Sequence, residues 1–496
     1  MSGRASRREL LPVLAIAGAV LVGHAALSGR YGFHRDELYY LAAGRHPALG
    51  YVDQPAIVPL LARAITAAVG AHLWPLRLVA GATHAAVVVV AGLIGRELGG
   101  GRRATVIAAL ATATAPLFIA TGGMFQTVVL DQLAWALVFL LVVRLLRGAD
   151  PRGWLVVGGV VGLGLETKWT IALLGVGLVA GLAAVPEARR QLRLRSPWVA
   201  GGVAVALALW TPNLVWQVLN GWPTLEFTRN NNAEVLQQDG RLGFVLQQVL
   251  FMGPVAVPLA GAGVVWLWRR RPWRSLAVAV GVIALVLFVV GGKAYYLGPC
   301  YVLAFAAGGV AVERWLAAQP DRWRTAVVAL VANGLVPLAA VAPVAPADVY
   351  ADVFYDLNDE LGEQVGWPEL VDQVARVVSV LPAEERADVR VVTASYGEAA
   401  AIDLYGPARG LPRGTALSAH NSYADWWPDD EPAGAVVFVR YRRERIEPYC
   451  DDVLGPVVVV SNRAGVSNQI AGAPILVCHR LRVDPAQLRD ALRHLE

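Results

Sequence analysis

The sequence predicts a polytopic α-helical membrane protein with a C-terminal α/β domain. Hydrophobic residues make up 56% of the 496 positions and charged residues only 16%, whereas soluble domains carry about 25% charged residues. Apolar runs recur from residue 10 to about residue 343, and many approach the roughly 20 residues that a helix needs to cross a bilayer. The later residues resemble an ordinary soluble domain in composition. We therefore place the domains at 1–343 and 344–496.

About eleven membrane spans are predicted from the apolar runs, with about thirteen as the upper bound. The predicted spans cover residues 10–28, 75–96, 104–121, 126–147, 153–167, 169–186, 197–217, 244–268, 275–291, 296–313 and 325–343. The first run follows a basic segment, as in a signal peptide, but the same pattern recurs downstream. We therefore interpret the first run as a retained membrane helix.

Arginine clusters set the orientation of these spans. They precede the first span and follow the second, fourth, sixth, eighth and tenth, so every cluster lies on the same side. Cytoplasmic loops of membrane proteins are enriched in Lys and Arg. The N-terminus is therefore predicted to be cytoplasmic, and an odd number of spans places the C-terminal domain outside the cell membrane. Because the net charge of +5 reflects such clusters, it does not indicate a nucleic-acid partner.

The first outer loop, residues 29–74, carries the most conspicuous chemistry of the chain. Its candidate functional residues are His34, Arg35, Asp36, Glu37, Asp53 and Gln54. A carboxylate at a membrane surface can serve as a general base, which makes the adjacent acids Asp36 and Glu37 catalytic candidates. One acid can instead cap the short helix predicted over Glu37–Ala43, and Asp36 is placed to do so. The residues alone favour neither role.

A divalent metal bound by Asp36 and Glu37 stays open, and no cofactor is firmly predicted. His34 and His72 lie in the same loop, but the loop contains no HxH or HExxH spacing, so both histidines are more simply explained without a metal. The apolar second half, Ala56–Val69, contains Arg63. It is too short to span a bilayer and is predicted to be an interfacial helix.

Asp131 is a candidate in the membrane part. It begins the apolar segment DQLAWALVFLLVV near the outer end of the fourth predicted span. An ionisable residue within a membrane segment is costly and indicates a function, which is the interpretation that we favour. The alternative is an acid that caps the start of a helix.

The only two lysines of the chain, Lys168 and Lys293, stand among 43 basic residues. Both are predicted at the outer membrane face, where the positive-inside rule disfavours cations. A compact ammonium suits a phosphate group as a point charge, so we favour binding of a lipid-linked phosphate over lysines that only snorkel at helix ends. Tyr295 and Tyr296 can add hydroxyl donors or belong to an aromatic belt.

The C-terminal domain is predicted to alternate helices and strands in an α/β layer. The predicted strands are 389–393, 415–419, 435–440, 457–461 and 474–481, and the helices are 372–381, 396–405 and 485–495. Cys450 and Cys478 can pair if this domain lies outside the cell, whereas Cys300 falls in an apolar run and is interpreted as a core residue. Gly397, in the segment SYGE, is too isolated for a nucleotide-binding fingerprint.

Several segments together resemble a known family. HRDELYYLAAGRHPALGYVDQPAIVPLLAR resembles the first extracytoplasmic loop of polytopic glycosyltransferases of the GT-C fold, in the bacterial dolichyl-phosphate-mannose-protein mannosyltransferase-like group that includes the aminoarabinose transferases of lipid A. MFQTVVLDQLAW, GLGLETKWT, TPNLVWQVLNGWPTLEF and GGKAYYLGPCYVLAFAAG follow in the family's order, over about the first 315 residues. The resemblance implies transfer of a sugar from a polyprenyl phosphate to an extracytoplasmic acceptor.

The resemblance also implies residue roles. The family's acid in the first loop corresponds to Asp36, with Glu37 beside it, and its second acid corresponds to Asp131. The lysine-tyrosine segment corresponds to Lys293, Tyr295 and Tyr296. One departure concerns the aminoarabinose transferases, which have Glu-Lys-Pro-Pro where this chain has residues 53–56, so Gln54 replaces a lysine that helps to hold the lipid phosphate. Lys168, Lys293 or Arg63 must then supply that charge, or the donor differs.

The function predicted is therefore an integral-membrane glycosyltransferase. It moves a pentose or a hexose such as mannose from a polyprenyl-phosphate donor to a protein, lipid or cell-wall glycan, with Asp36 as base in a single displacement. A retaining mechanism stays open. The alternative function is a transporter or flippase for a polar lipid, but the sequence shows no internal repeat of the kind that transporters often have.

Overall fold

The computed structural model describes residues 2–317, 319, 322–428, 430 and 434–495. The helices of the N-terminal part are α1 Ser2–Leu27, α2 Arg35–Arg45, α3 Ile57–Val69, α4 Leu73–Glu97, α5 Arg102–Thr114, α6 Pro116–Gly122, α7 Thr127–Leu146, α8 Gly153–Leu165, α9 Ile171–Ala184, α10 Pro186–Gln191, α11 Pro197–Leu219, α12 Pro223–Gln238, α13 Gly240–Met252, α14 Ala256–Trp268, α15 Arg274–Val290, α16 Gly298–Leu316, α17 Arg322–Leu335 and α18 Leu338–Val341.

Five helical segments in the described residues are long and apolar enough to cross a membrane. They are Leu10–Leu27, α4, α7, α11 and Ala294–Leu316, which joins a 3-10 turn to α16. Two bent pairs, α5 with α6 and α13 with α14, raise the number to seven. Helices α3, α8, α9 and α15 are apolar but shorter. The polytopic helical fold is therefore present, while the count of about eleven spans stays a prediction for the shorter helices.

The predicted continuous helix over 244–268 is wrong, because α13 and α14 meet at an angle of 104°. Gly253 ends α13 with a φ of 83°, a conformation that favours glycine. Asn333 of α17 satisfies the backbone groups that the break releases. Its Oδ1 accepts a hydrogen bond from the Val255 amide at 3.0 Å, and its Nδ2 donates to the Met252 carbonyl at 2.9 Å.

A second break separates α5 from α6 within the predicted span 104–121. The two helices differ in direction by 63°. Pro116 is the first residue of α6, and a proline disfavours the helical conformation in the residue before it. Ala115 accordingly has an extended backbone with ψ of 128°.

The C-terminal residues form an α/β layer. Its helices are α19 Ala347–Val353, α20 Trp367–Ser379, α21 Ala383–Arg386, α22 Tyr396–Tyr405, α23 Arg443–Ile446 and α24 Pro485–Leu492, and its strands are β1 Arg390–Thr393, β2 Ala416–Ser418, β3 Val436–Val439, β4 Val453–Val459 and β5 Pro474–Cys478. The strand order is β2-β1-β3-β5-β4. Strand β1 runs parallel to both β2 and β3, whereas β5 runs antiparallel to β3 and β4. Cys450 and Cys478 form a disulfide.

The first loop and the C-terminal layer share one hydrophobic core. Leu38 and Tyr39 of α2 belong to the same buried cluster as Trp367 of α20 and Val391 of β1. The close approach of α2 to α22 requires glycine at position 397, because a Cβ there would lie 3.0 Å from the Arg35 Cβ and 3.1 Å from the Trp367 ring. The loop is therefore held by the C-terminal layer as well as by the helical part.

Candidate active site

A cavity of about 1250 Å³ opens between the helical part and the C-terminal layer. Eight of the residues singled out from the sequence line it: Arg35, Asp36, Asp53, Gln54, Lys168, Lys293, Tyr295 and Tyr296. Four others, His34, Glu37, Arg63 and Asp131, do not line it. The folded chain thus brings residues from three distant segments, the first loop, the turn at Lys168 and residues 293–296, to one space.

Asp36 is the acid of the adjacent pair that reaches the cavity. Its side chain is 27% exposed, and its Oδ1 accepts a hydrogen bond of 2.8 Å from the Tyr396 hydroxyl. The Arg35 guanidinium lies 3.8 Å from the same oxygen. Asp36 does not cap α2, because His34 occupies the N-cap position and accepts from the Asp36 amide through Nδ1. The carboxylate therefore remains available for chemistry.

Glu37 has a structural role, which corrects the interpretation of this acid as catalytic. Its side chain is fully buried and faces Arg77, itself 1% exposed. Arg77 donates through Nε at 3.1 Å and through Nη2 at 2.9 Å. The backbone amides of His34 and Phe125 donate to the two Glu37 oxygens, each at 2.9 Å. Both carboxylate oxygens are thus occupied, which leaves no position for a substrate.

His34 and Arg35 are held by Glu360, a residue of the 3-10 segment Asp359–Gln364. The His34 Nε2 lies 3.2 Å from Glu360 Oε2, and Arg35 Nη2 donates to Oε1 at 3.3 Å. Burial opposes charge on His34, but the Glu360 hydrogen bond and the nearby carboxylates raise its pKa above the usual value. Burial would raise the pKa of Glu360, whereas Arg35 and His34 hold it well below its usual range.

Asp53 and Gln54 lie beside Asp36 on the cavity wall. The Tyr39 hydroxyl donates to Asp53 Oδ1 at 2.8 Å. Burial raises the pKa of Asp53 to about 7, and the charge of Asp36 adds to that shift. Gln54 is 4% exposed, and neither atom of its side-chain amide has a hydrogen-bond partner in the described part of the chain. A buried unpaired amide that lines a cavity is suited to meet a polar ligand.

The two lysines meet in the cavity, although 125 positions separate them in the sequence. The Lys168 ammonium lies 5.4 Å from the centre of the Tyr295 ring and 4.9 Å from that of Tyr296. Burial lowers the pKa of Lys168 to about 8, and the charge of Lys293 lowers it as well. A pair of ammonium groups that line one cavity is suited to a phosphate.

Asp131 lies behind this lysine pair rather than on the cavity wall. It is the fifth residue of α7 and is 4% exposed, so it does not cap the helix. The Trp135 indole donates to Oδ1 at 3.0 Å, and the Thr170 hydroxyl donates to Oδ2 at 2.8 Å. Its charge attracts the Lys168 ammonium. The geometry favours a role for Asp131 in orienting Lys168 over direct contact with a substrate.

Arg63 does not reach the cavity, which removes it from the phosphate-binding candidates. It lies on α3, and its Nη1 donates to the Gly44 carbonyl of α2 at 3.0 Å. Gly44 is also where the two helices touch, because a Cβ there would lie 2.9 Å from the Pro59 carbonyl oxygen. Arg63 thus joins α2 to α3.

The described residues contain no group of three His, Cys, Asp or Glu side chains placed to hold a metal ion. Asp36 faces Tyr396 and Arg35, and Glu37 faces Arg77. Both oxygens of Glu37 accept hydrogen bonds from Arg77 and from backbone amides, so neither is free to share a metal with Asp36. The pair of adjacent acids therefore does not fit a shared metal.

Sequence reasoning missed the residues that the C-terminal layer adds to the cavity. These include Glu360, Ser395, Tyr396, His420, Asn421, Arg440, Tyr441, Arg445 and His494. In the segment SYGE the sequence singles out only Gly397. In the structure Tyr396 reaches Asp36, and the buried Glu398 pairs with Arg440. No local pattern around these residues indicates that they face a membrane-embedded site.

Comparisons with known proteins place the fold. Residues 53–216 match the family of dolichyl-phosphate-mannose-protein mannosyltransferases. The crystal structure of ArnT from Cupriavidus metallidurans bound to undecaprenyl phosphate is 15% identical and superposes with a TM-score of 0.58 over 94% of this chain and 97% of that chain. The apo ArnT structure, also 15% identical, gives 0.55 over 95% and 98%. No curated protein matches the sequence at a significant level.

Proposed function

We infer from the GT-C glycosyltransferase fold, which this chain shares with ArnT, that the protein is an integral-membrane glycosyltransferase. Its donor would be a pentose or a hexose such as mannose on a polyprenyl phosphate, and its acceptor a protein, lipid or glycan outside the cytoplasm. The observation that carries this proposal is the meeting of Asp36 with Lys168 and Lys293 at one cavity. A transferase of this kind needs an acid for the acceptor and cations for the leaving phosphate.

The donor phosphate is assigned to Lys168, Lys293 and the hydroxyls of Tyr295 and Tyr296. Negative charge grows on the phosphate as its bond to the sugar breaks, and cations placed beforehand stabilise that charge. Gln54, whose amide is unpaired, can donate a hydrogen bond to the phosphate or the sugar. Because the Gln54 amide is neutral, the positive charge that the phosphate needs comes from Lys168 and Lys293.

The polyprenyl chain is assigned to the apolar wall of the cavity. Helices α6, α13 and α18, with their flanking residues, supply Pro116, Leu117, Ile119, Ala120, Leu250, Phe251, Val336, Pro337, Ala340 and Val341 to the lining. Two of these helices, α6 and α13, belong to the bent pairs, and their apolar residues line the same cavity as the two lysines.

The reaction proposed is a single displacement with inversion. The acceptor hydroxyl oxygen forms a bond to the anomeric carbon while the bond from that carbon to the phosphate oxygen breaks. Asp36 takes the hydroxyl proton, and polyprenyl phosphate leaves with the electron pair of the broken bond. Asp131 orients Lys168, and Tyr396 holds Asp36.

The site is assigned to the extracytoplasmic side of the cell membrane, with the N-terminus in the cytoplasm. The arginine clusters support this orientation, and the disulfide between Cys450 and Cys478 is of a kind that persists outside the cytoplasm.

Reconstitution tests the proposal. The full chain is placed in proteoliposomes with polyprenyl-phosphate sugars carrying a radiolabelled mannose, glucose, arabinose or galactose. Consumption of at least one donor, lost in Asp36→Asn, is expected. Movement of the lipid across the bilayer without loss of sugar would instead establish the transporter function. Mass spectrometry of envelope lipids and glycoproteins from a deletion strain then identifies the acceptor.

A further inference from the structure

The carboxyl ends of three parallel strands meet at the cavity. Strands β1, β2 and β3 end at Thr393, Ser418 and Val439, and the residues that follow each end line the cavity. Strand β1 lies between β2 and β3. The connection from β1 leads to β2 on one side, and the chain then crosses to β3 on the other side, so the strand order reverses at β1. Open α/β sheets bind ligands in the crevice outside the carboxyl ends of their strands, at such a reversal. This edge faces the same space as Asp36.

The backbone at this edge is strained. Asn421, shortly after β2, has a φ of 47°, and Arg440, directly after β3, has a φ of 65°. Residues other than glycine adopt this region at a cost, and such outliers concentrate at functional sites. Two of the four non-glycine residues with positive φ in the described chain thus lie at the same sheet edge.

The charges that this edge presents are cationic. Arg440 pairs through Nε with Glu398, whose side chain is fully buried, so this acid does not face the cavity. Asp359 and Glu360 also line the cavity, but they belong to the 3-10 segment Asp359–Gln364 and not to the sheet edge. Arg445 lines the cavity, is exposed, and forms no ion pair in the described part of the chain. The acids Glu234 and Asp239, which also line the cavity, lie in α12 and directly after it, in the helical part. Across the cavity, Arg35 and His34 neutralise Glu360.

The shape of the edge favours a compact polar ligand over an extended peptide. An extended peptide commonly binds by adding a strand to an open sheet edge, but the cavity meets strand ends. Rings line it instead. Tyr396 stacks on His420 at 4.6 Å, and His420 stacks on His494 at 4.4 Å. Sugar rings combine apolar faces with hydroxyl groups, which suits a wall of rings and guanidinium groups.

We propose that this sheet edge is the acceptor subsite and that it takes a carbohydrate bearing a carboxylate or phosphate group, recognised by Arg440 and Arg445. The identification of this ligand as an acceptor rests on the proposed transferase function. The binding of an anionic carbohydrate at the edge does not depend on that function. Tyr396 links the two halves of the site, because the same side chain stacks on the ring wall and hydrogen-bonds to Asp36. An acceptor bound at the edge would therefore present its hydroxyl groups towards the proposed base.

The test is a binding measurement on the full-length protein in nanodiscs, with no donor present. The probes are trigalacturonic acid, the neutral sugar maltotriose, and an octapeptide of alternating serine and alanine, each titrated by isothermal calorimetry. Trigalacturonic acid should bind more tightly than the other two. Arg445→Gln should weaken it about tenfold, as expected for the loss of one charge-assisted hydrogen bond. The matched control is Arg442→Gln, an exposed arginine three positions earlier that does not line the cavity.

Arg440→Lys supplies a second variant, which keeps a charge for Glu398 but loses the planar fork of the guanidinium. Thermal unfolding monitors the integrity of each variant. Equal binding of maltotriose, tighter binding of the octapeptide, or equal effects of Arg445→Gln and Arg442→Gln would each overturn the proposal. Donor consumption is measured separately, so a protein that consumes donor but fails to bind trigalacturonic acid refutes this subsite alone.

Discussion

Tyr396 donates a hydrogen bond of 2.8 Å to Asp36 across 360 positions of sequence. The bond joins α22, the helix that follows β1, to α2 in the first outer loop. Tyr39 makes a parallel bond to Asp53 and stacks on Tyr396 with the ring centres 4.5 Å apart. Two stacked phenols thus hold two carboxylates at one cavity.

Tyr396→Phe should lower kcat about tenfold to a hundredfold, because a hydrogen bond to a charged group contributes about 1.5–3 kcal/mol. The stacking on Tyr39 is retained, so the donor KM and the thermal midpoint should stay unchanged. Tyr449→Phe, at a tyrosine that does not line the cavity, is the control. A parallel fall in thermal stability would show that Tyr396 is a packing residue instead.

Asp36→Asn and Glu37→Gln should fail in different ways. Loss of a general base costs about 10²–10⁴ in rate, so Asp36→Asn should nearly abolish transfer at normal abundance. Glu37→Gln breaks a buried ion pair with Arg77, which costs about 3–5 kcal/mol of stability. Steady-state kinetics and protein abundance in isolated membranes separate the two effects. Normal transfer by Asp36→Asn would remove Asp36 as the base.

Lys293→Ala should raise the donor KM by at least about tenfold, because a cation beside the leaving phosphate is lost. The acceptor KM should change little. Arg63→Ala removes a cation from the first loop that does not reach the cavity, so it serves as the matched control. An unchanged donor KM in Lys293→Ala would argue against phosphate binding there.

Donor binding should weaken as the pH rises from about 7 to 9. Burial lowers the pKa of Lys168 to about 8, so its ammonium loses the proton within this range and the attraction for phosphate falls. The donor KM measured across this range should therefore increase. Lys168→Arg should flatten the increase, because a guanidinium keeps its charge. A wild-type KM that is independent of pH would contradict the role of Lys168.

A cysteine at position 425 tests the topology. Asp425 has an exposed side chain in the C-terminal layer, and Asp425→Cys should react with a membrane-impermeant maleimide in intact cells. Ala149→Cys lies in an exposed loop predicted to be cytoplasmic, and it should react only after the membrane is opened. The reverse pattern would invert the orientation.

Most helices could be predicted from the sequence, because apolar runs report on the local environment of each segment. The break at Gly253 could not, because it depends on Asn333, a residue 80 positions away. The different roles of the two adjacent acids could not be predicted either, because their partners are distant in the sequence. Nothing near Asp36 and Glu37 in the sequence reveals that Arg77 pairs with Glu37 or that Tyr396 donates a hydrogen bond to Asp36.

The candidate site was predictable on its membrane side only. Two lysines in an arginine-rich chain are conspicuous, and the structure brings both to the cavity that Asp36 lines. The opposite wall is built by residues such as Arg440 and Arg445, which resemble ordinary surface arginines until the sheet order is known. Their position follows from strand pairing, which a single sequence does not display.

The core that the first loop shares with the C-terminal layer has a consequence for biogenesis. Leu38 and Tyr39 leave the ribosome early, yet they pack in one cluster with Trp367 and Val391. Domains generally fold as units while the N-terminal part of a chain emerges first. Here the loop that carries Asp36 can complete its hydrophobic core only after residues more than 300 positions later have been synthesised. A chain that ends prematurely could therefore insert its early helices but would carry no assembled catalytic loop.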